Sequence, residues 1–209
     1  MTAPPTAPVP RRRRHGAELE TAILEACWDE LADSGYANLT MDSVARRAGT
    51  SEPVLYRRWS NKDELVLAAL ERHNADHIPE LPDTGSLRGD LIAALTAMGA
   101  SRSKFFAVAV ATVFSGLAAR LGLSPIEVRD LVFGDQRESR VRTLFERAEA
   151  RGEIDLRRIE PDVLSLPFDL VRHDLIMTPG PISADRVTAI VDRLFLPLIA
   201  EQGARPAKS

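Results

Sequence analysis

The chain has 209 residues, of which 44% are hydrophobic and 27% charged, the balance of an ordinary globular protein. Its net charge of −3 indicates no particular partner, and its one cysteine, Cys27, excludes an intrachain disulfide framework or a thiolate zinc cluster. The longest largely apolar run, Phe105 to Phe114, is shorter than the roughly 20 residues of a membrane span. No apolar stretch follows the N-terminal arginines, as it would in a secretory signal. We therefore expect a cytoplasmic protein that does not bind a membrane.

The charge is unevenly distributed along the chain. Arg11 to Arg14 form one basic block, and the segment from Thr40 to Lys62 contains five basic residues against two acidic ones. A local basic patch on an acidic protein suits a site for an anionic polymer, although a solvated surface has the same composition. The block at Arg11 to Arg14 fits either a minor-groove arm or a solubilising tail.

Helical periodicity and end signals divide the first part of the chain into four helices. The first runs from Ala17 to Ser34 and stops at a glycine. Thr40 is a good N-cap for a second helix, Met41 to Ala48, and Ser51 for a third that reaches about Trp59. Asn61 then caps a fourth. Pro53 is tolerated in the first turn of the third helix.

Prolines and a glycine between residues 79 and 85 mark a boundary, after which the pattern predicts five more helices at 86–100, 103–119, 124–151, 161–178 and 183–201. Pro167 lies inside the eighth and should kink it. Ser183 caps the ninth. The expected fold class is therefore all-α, with about nine helices. We expect three regions: a disordered basic arm at 1–16, a DNA-binding domain at 17–78, and a ligand-sensing and dimerisation domain at 79–209.

Residues 40–59 carry the functional signal, because they read as helix, tight turn and helix. Small Ala45 permits close approach of the two helices, and Gly49 permits a left-handed turn. This is the layout of a helix-turn-helix, whose second helix enters the major groove of DNA.

The stretch LTMDSVARRAGTSEPVLYRRWSNKDEL, residues 39–65, resembles the DNA-binding domain of the tetracycline-repressor (TetR) family. The resemblance is strong over residues 17–70. It is looser beyond them, through Arg147-Ala148 and Arg151-Gly152-Glu153 and the two final apolar helices. It implies a homodimer whose last two helices form a four-helix interface, here those at 161–178 and 183–201. It also implies binding to a near-palindromic operator and release by a small-molecule effector.

The resemblance also implies roles for individual residues. Thr40, Tyr56 and Lys62 match phosphate contacts, the last with the free N–H groups of the fourth helix. Arg57 is placed to pair with guanine. The exposed start of the recognition helix, where base edges are reached, is Ser51, Glu52, Pro53 and Val54. Glu52 departs from the pattern: it fits either an acceptor from cytosine or a charge that complements the helix dipole.

The second half of the chain has bulky phenylalanines interleaved with small residues, a mixture that leaves room for a ligand between helices. The candidate lining residues are Phe105, Phe106, Phe114, Phe133, Phe168, Arg172 and His173. The phenylalanines fit a plain core as well, and the polar pair fits a surface or dimer interface.

Other features predict less. His73 and His77 share a helix face, but two ligands do not make a zinc site, so we expect a solvated or linker-facing pair, and no metal or cofactor. Cys27 is most simply a core residue. No phosphate loop, nucleophile elbow or metal motif indicates an enzyme. The alternatives to a ligand-released repressor are a TetR-like activator and a helical small-molecule-binding protein without ligand-controlled DNA release.

Overall fold

The computed structural model describes residues 16–101, 103–178 and 180–204, and within that part every regular element is helical. In the described part of the chain, nine helical segments follow one another: α1 Ala17–Asn38, α2 Met41–Ala48, α3 Glu52–Tyr56, α4 Lys62–Asp76, α5 Leu87–Ser101, α6 103–121, α7 Pro125–Ala150, α8 Pro161–Met177 and α9 184–204. Wider, π-type turns interrupt α6 at Val113–Leu117 and α9 at Ile190–Phe195. The all-α fold class and the predicted helix count are confirmed. The basic arm with Arg11 to Arg14 lies outside the described residues.

Local capping chemistry explains where most helices begin. Thr40, Asn61 and Ser183 each accept a hydrogen bond from the backbone N–H three residues ahead, at 3.0, 2.9 and 3.2 Å. Those three predicted caps are confirmed. The fourth is confirmed in position only: Ser51 is the N-cap residue of α3, but its side chain makes no capping hydrogen bond. The first turn of α3 therefore keeps N–H groups that its own cap does not satisfy.

Gly35 interrupts α1 at the position where the sequence predicts its end, but the helix resumes after this residue. Its φ of 75° and ψ of 164° lie far from helical values, in a region that favours glycine. One further turn to Asn38 follows the interruption. That turn carries Tyr36, which is buried, towards the start of α4.

The buried side chains form two hydrophobic clusters, and two neighbouring residues of α6 belong to different clusters. Phe105 belongs to an N-terminal cluster built on α1 to α4, and this cluster also contains residues of the second half of the chain, Ala109, Leu117, Ala118, Val128 and Val132. Phe106 belongs to a C-terminal cluster made by α5, α7, α8 and α9. Since successive helical residues point about 100° apart, α6 inserts one ring into each cluster. Through α1 and α4, the N-terminal part of the chain is thus packed directly against α6 and α7.

By length and composition, the stretch Lys104–Leu121 of α6 is apolar enough to cross a membrane, with a hydropathy of 1.5 and 35% of the stretch buried. The expectation drawn from the shorter Phe105 to Phe114 run overlooked this longer window. Core helices pass the same test, and the burial of Phe105 and Phe106 between two clusters follows that pattern.

The last two helices bury more of their apolar surface within the chain than the sequence suggests. Val187, Ile190 and Val191 of α9 are buried in the C-terminal cluster, whereas Leu194 is 50% exposed. α8 continues through Pro167, which is buried. Three further apolar side chains of α8 remain exposed, Leu166, Ile176 and Met177.

Candidate nucleic-acid interface and effector cavity

The helix-turn-helix is fixed by a short turn between α2 and α3. Gly49 adopts the left-handed conformation, with φ 70° and ψ 34°, and the N–H of Thr50 donates to the carbonyl of Ala45 at 3.0 Å. This is the hydrogen bond of a Schellman-type helix end. Val44 and Leu55 are fully buried beneath the turn, so the two helices are held on the N-terminal cluster. One face of the pair therefore stays accessible to a partner.

Thr40 and Ser43 form a reciprocal capping box at the start of α2. The hydroxyl oxygen of Thr40 accepts from the Ser43 N–H, and the Ser43 hydroxyl oxygen accepts from the Thr40 N–H at 3.1 Å. Because the Thr40 oxygen acts as an acceptor in this cap, its proton is left to donate outward. An exposed hydroxyl donor at a helix N-terminus suits a phosphate oxygen.

The recognition helix α3 is shorter than predicted, since it ends at Tyr56 rather than near Trp59. Ser51 and Pro53 are exposed, and Glu52 is half-buried. Val54 packs against the N-terminal cluster, so it presents less surface than an exposed start of the helix would. Tyr56, at 51% exposed, and Arg57 extend the accessible edge beyond the helix.

Three of the four arginines between Thr40 and Lys62 pair with carboxylates of the chain, at exposed or partly exposed positions. Arg46 pairs with Asp42 at 2.8 Å, Arg47 with Asp33 at 2.8 Å, and Arg58 with Glu20. The hydrogen bond that Arg47 donates to Asp33 raises the pKa of the Arg47 guanidinium further. Of the four arginines in this segment, Arg57 alone has no carboxylate partner among the described residues. The basic patch is therefore much narrower than the charge count suggests.

Lys62 is turned towards the protein rather than wholly outward. Its Nζ donates to the carbonyls of Tyr36 and Leu39, each at 3.1 Å, and lies 4.3 Å from the centre of the Tyr36 ring. The ammonium group has three protons, so these two bonds leave one donor. The Lys62 side chain therefore satisfies backbone carbonyl groups at the end of α1.

Sequence reasoning missed a polar junction that joins α1, α4 and α6. Arg120, near the end of α6, donates from Nε to the hydroxyl of Tyr36 at 3.1 Å and to Asp63 at 3.3 Å. The Tyr36 hydroxyl itself donates to Asp63. These partners are up to 84 positions apart in sequence, so no local pattern reveals them.

The histidines differ from the expected solvated pair. The ring of His73 stacks on Trp28 at 3.7 Å and on His77 at 4.0 Å, and it lies 5.7 Å from Phe105. His73 is therefore a packing residue between α1, α4 and α6. Cys27 is a core residue, as predicted, and burial raises the pKa of its thiol to about 12.

A cavity of about 120 Å³ lies between the end of α4, the following segment, and helices α5 to α8. Phe168 and Arg172 line it, as do Phe106 and two residues that the sequence did not single out, Asn74 and Arg140. The remaining lining residues are Ile78, Pro79, Glu80, Leu81, Pro82, Ala94, Met98 and Val141.

Two predicted lining residues lie elsewhere. Phe105 is buried in the N-terminal cluster, whereas its neighbour Phe106 lines the cavity. His173 is exposed on α8. The side chains of Phe114 and Phe133 lie outside the described part of the chain.

Helices α2 and α3 form the DNA-facing unit, called the reading head below, and they are held on a helical body. This arrangement defines a helix-turn-helix protein of the regulatory type. Comparison with protein families gives two matches. The N-terminal model of the TetR family of bacterial regulatory proteins matches residues 23–69, and a tetracyclin repressor-like C-terminal domain matches residues 81–194. The chain belongs to the TetR family.

Individual relatives agree with this assignment. The DNA-binding transcriptional repressor TetR of Mycobacteroides abscessus is 46% identical over 80 residues, which are 38% of this chain and 42% of that protein. An uncharacterized HTH-type transcriptional regulator of Mycobacterium bovis is 33% identical over 195 residues, covering 92% of this chain and 91% of the relative. The solved structure of the TetR family transcription regulator SCO0332 superposes with a TM-score of 0.60 at 25% identity, covering 90% of this chain and all of that one.

Proposed function

We propose that this protein is a cytoplasmic transcriptional repressor that binds a near-palindromic operator as a homodimer and is released by a small, largely apolar molecule. The observation that carries the proposal is the accessible edge formed by Thr40, Ser51, Pro53, Tyr56 and Arg57 on a rigidly held helix-turn-helix. A relative similar in this half is named a repressor. A TetR-like activator would use the same edge and differ only in the position of its operator.

Within this proposal, the contacts divide into two classes. Thr40 and Tyr56 hold phosphates through hydroxyl donors, which positions the head without reading sequence. Arg57, whose guanidinium is not engaged by a described carboxylate, pairs with a guanine in the major groove. Lys62 contributes through its backbone N–H and its remaining proton.

The dimer is proposed to form through α8 and α9. Leu166, Ile176, Met177 and Leu194 are exposed apolar side chains there, and a two-fold axis would bury the same patch on both subunits. Two reading heads then meet half-sites about one helical turn apart, roughly 34 Å.

A mobility-shift screen over fragments of the source genome tests DNA binding. We expect salt-sensitive binding to a small set of fragments, and Arg57→Ala should cost about 1–3 kcal/mol at one base position. Arg142→Ala, which removes the same charge from an exposed site on α7, is the matched control and should change affinity less than twofold. If no fragment is bound in a salt-dependent way, the proposal fails.

The alternative of a ligand-binding protein without ligand-controlled DNA release is tested with the same fragments. Compounds that raise the melting temperature are added to the operator complex. A repressor of the proposed kind loses operator affinity, because the ligand must favour the state that does not bind DNA. Compounds that stabilise the protein and leave operator affinity unchanged favour the alternative.

A further inference from the structure

Arg140 of α7 stands out among the arginines because it is half-buried at a cavity wall without a described counter-ion. Its Nη2 donates to the carbonyl of Pro79, in the segment that follows α4. No carboxylate of the described residues pairs with it. The residues one helical turn away on α7 are Gln136, Arg137, Thr143 and Leu144, so its own helix supplies no acid at that spacing. Burial lowers the pKa of this guanidinium.

Several other arginines of the helical body are paired with carboxylates. Arg151 pairs with the buried Asp90 at 2.8 Å, Arg172 with Asp169, and Arg120 with Asp63 at 3.3 Å. Arg147 of α7 also donates to a carbonyl, that of Pro82 at 3.3 Å, but it does not line the cavity. Removing a charge from water is costly unless a partner of opposite charge compensates. Among the described residues, Arg140 bears that cost with one carbonyl as its partner, so most of its donors are left for another partner.

The rest of the cavity is mainly apolar. Phe106, Phe168, Met98, Ala94 and Val141 form its walls. Glu80, the acidic lining residue, is exposed, so water screens its charge. At roughly 10–15 Å³ for each water-sized site, 120 Å³ holds about ten non-hydrogen atoms.

We propose that this cavity binds a small monocarboxylate of about ten non-hydrogen atoms, with its carboxylate on Arg140 and its apolar body against Phe106 and Phe168. A guanidinium presents two parallel N–H groups that match the two oxygens of a carboxylate, which fixes the orientation of the acid. This inference rests on the proposed function, because it names the class of effector for the same regulator. Since Arg140 also holds the Pro79 carbonyl, the bound acid acts directly on the segment that leaves α4.

Direct binding to the full-length protein tests the charge requirement. Octanoate and octanamide have the same size and differ in charge, as do 3-phenylpropionate and 3-phenylpropanamide, so the two pairs separate an alkyl from an aryl body. We expect at least one acid to bind ten times more tightly than its own amide by calorimetry at pH 7. If each amide binds as well as its acid, or no acid binds, the inference is overturned.

Substitutions on α7 test whether Arg140 supplies the positive charge that favours the acid over its amide. Arg140→Gln should abolish the preference for the acid, and Arg140→Lys should retain part of it. Arg142→Ala, two residues further along α7 and highly exposed, should leave the preference unchanged. A preference that persists in Arg140→Gln overturns the inference, and if that variant does not fold, the acid and amide comparison on the wild-type protein still decides.

The same preparations are examined for operator binding without any ligand. Absence of the preference for the acid in the wild-type protein, with operator binding intact, removes the carboxylate inference and leaves the proposed repressor. Failure to bind any operator, with the acid still preferred, removes the proposed repressor and leaves the carboxylate site.

Discussion

The Nε of Arg120 donates to the hydroxyl oxygen of Tyr36 at 3.1 Å, and this bond ties the end of α6 to the end of α1. The phenol donates in turn to Asp63, near the start of α4, so three helices meet at one side chain. Burial raises the pKa of Tyr36 to about 12, and Asp63 acts in the same direction, whereas Arg120 opposes it. The body of the protein thus contacts the helix that follows the reading head.

The first prediction concerns this phenol. Asp63→Asn should bring the pKa of Tyr36 down towards 10, and Arg120→Gln should raise it further, because these neighbours shift it in opposite directions. The chain has two tyrosines, so a Tyr56→Phe background leaves Tyr36 as the single reporter for titration by ultraviolet absorbance. An unchanged titration in Asp63→Asn would contradict the junction.

The same shift gives a pH dependence of stability. The unfolded chain releases the Tyr36 proton near pH 10, whereas the folded protein holds it to about pH 12. The contribution of Tyr36 is therefore complete below pH 10 and is lost between pH 10 and 12. Urea unfolding at pH 9 and pH 11 should show a smaller loss for Asp63→Asn than for the parent.

A second prediction separates the two roles of Lys62. Lys62→Met removes two charge-assisted hydrogen bonds to carbonyls and should lower the free energy of unfolding by about 1–3 kcal/mol. Lys104→Met, at an exposed position of α6, is the control and should be nearly neutral. If Lys62→Met weakens DNA binding with no change in stability, the residue acts only as a phosphate contact.

The dimer prediction uses two leucines that are equally exposed in one subunit. Leu194 on α9 is 50% exposed and Leu131 on α7 is 48% exposed. Leu194→Arg should give monomers in sedimentation velocity at micromolar concentration, because a charge enters the proposed seam. Leu131→Arg should stay dimeric, and a matching loss in both variants would place the interface elsewhere.

A fourth prediction concerns the buried carboxylate of Asp90. It accepts from the Thr84 N–H at 2.5 Å, from the Thr84 hydroxyl at 2.8 Å and from Arg151 at 2.8 Å. Burial alone would raise the pKa of Asp90, but these hydrogen bonds outweigh it and hold the pKa below its ordinary value. Asp90→Asn should cost about 3 kcal/mol, whereas Asp83→Asn, an exposed partner of the same arginine at 3.5 Å, should cost less than about 1 kcal/mol.

The depressed pKa sets the sign of the pH effect for Asp90. Its contribution is present above the unfolded-state pKa, near 4, and is lost as the pH falls through the lower folded-state value. The stability difference between wild type and Asp90→Asn should therefore be large at pH 7 and shrink towards pH 3. A difference that does not depend on pH would show that the pair contributes only packing.

The parts of the fold that the sequence predicts are local ones. Thr40 and Asn61 cap their helices through residues three positions ahead, so the spacing alone reveals them. Apart from the missing Ser51 cap and the shorter α3, the failures involve distant partners. Lys62 satisfies carbonyls 23 and 26 residues away, and the ring of Phe105 turns from the cavity because Trp28 and His73 stack nearby.

Candidate DNA contacts on the turn could be named from the sequence because they occupy matching positions in the resemblance to the TetR-family motif. Arg140 could not, because only the packing of α7 against the segment after α4 brings its side chain to the cavity. The charge pattern likewise overstated the basic patch, since Arg58 pairs with a glutamate 38 positions earlier in the chain.

The burial of Phe105, Ala109, Leu117, Val128 and Val132 in the cluster of the first four helices bears on hybrid regulators. A chimera that joins this reading head to a foreign sensor at the proline-rich segment would present those helices with an unrelated surface. We expect grafting to succeed when the acceptor reproduces the surface that these five residues form together with Ala118. These residues identify the contacts that a foreign sensor domain must supply for the reading head to stay folded.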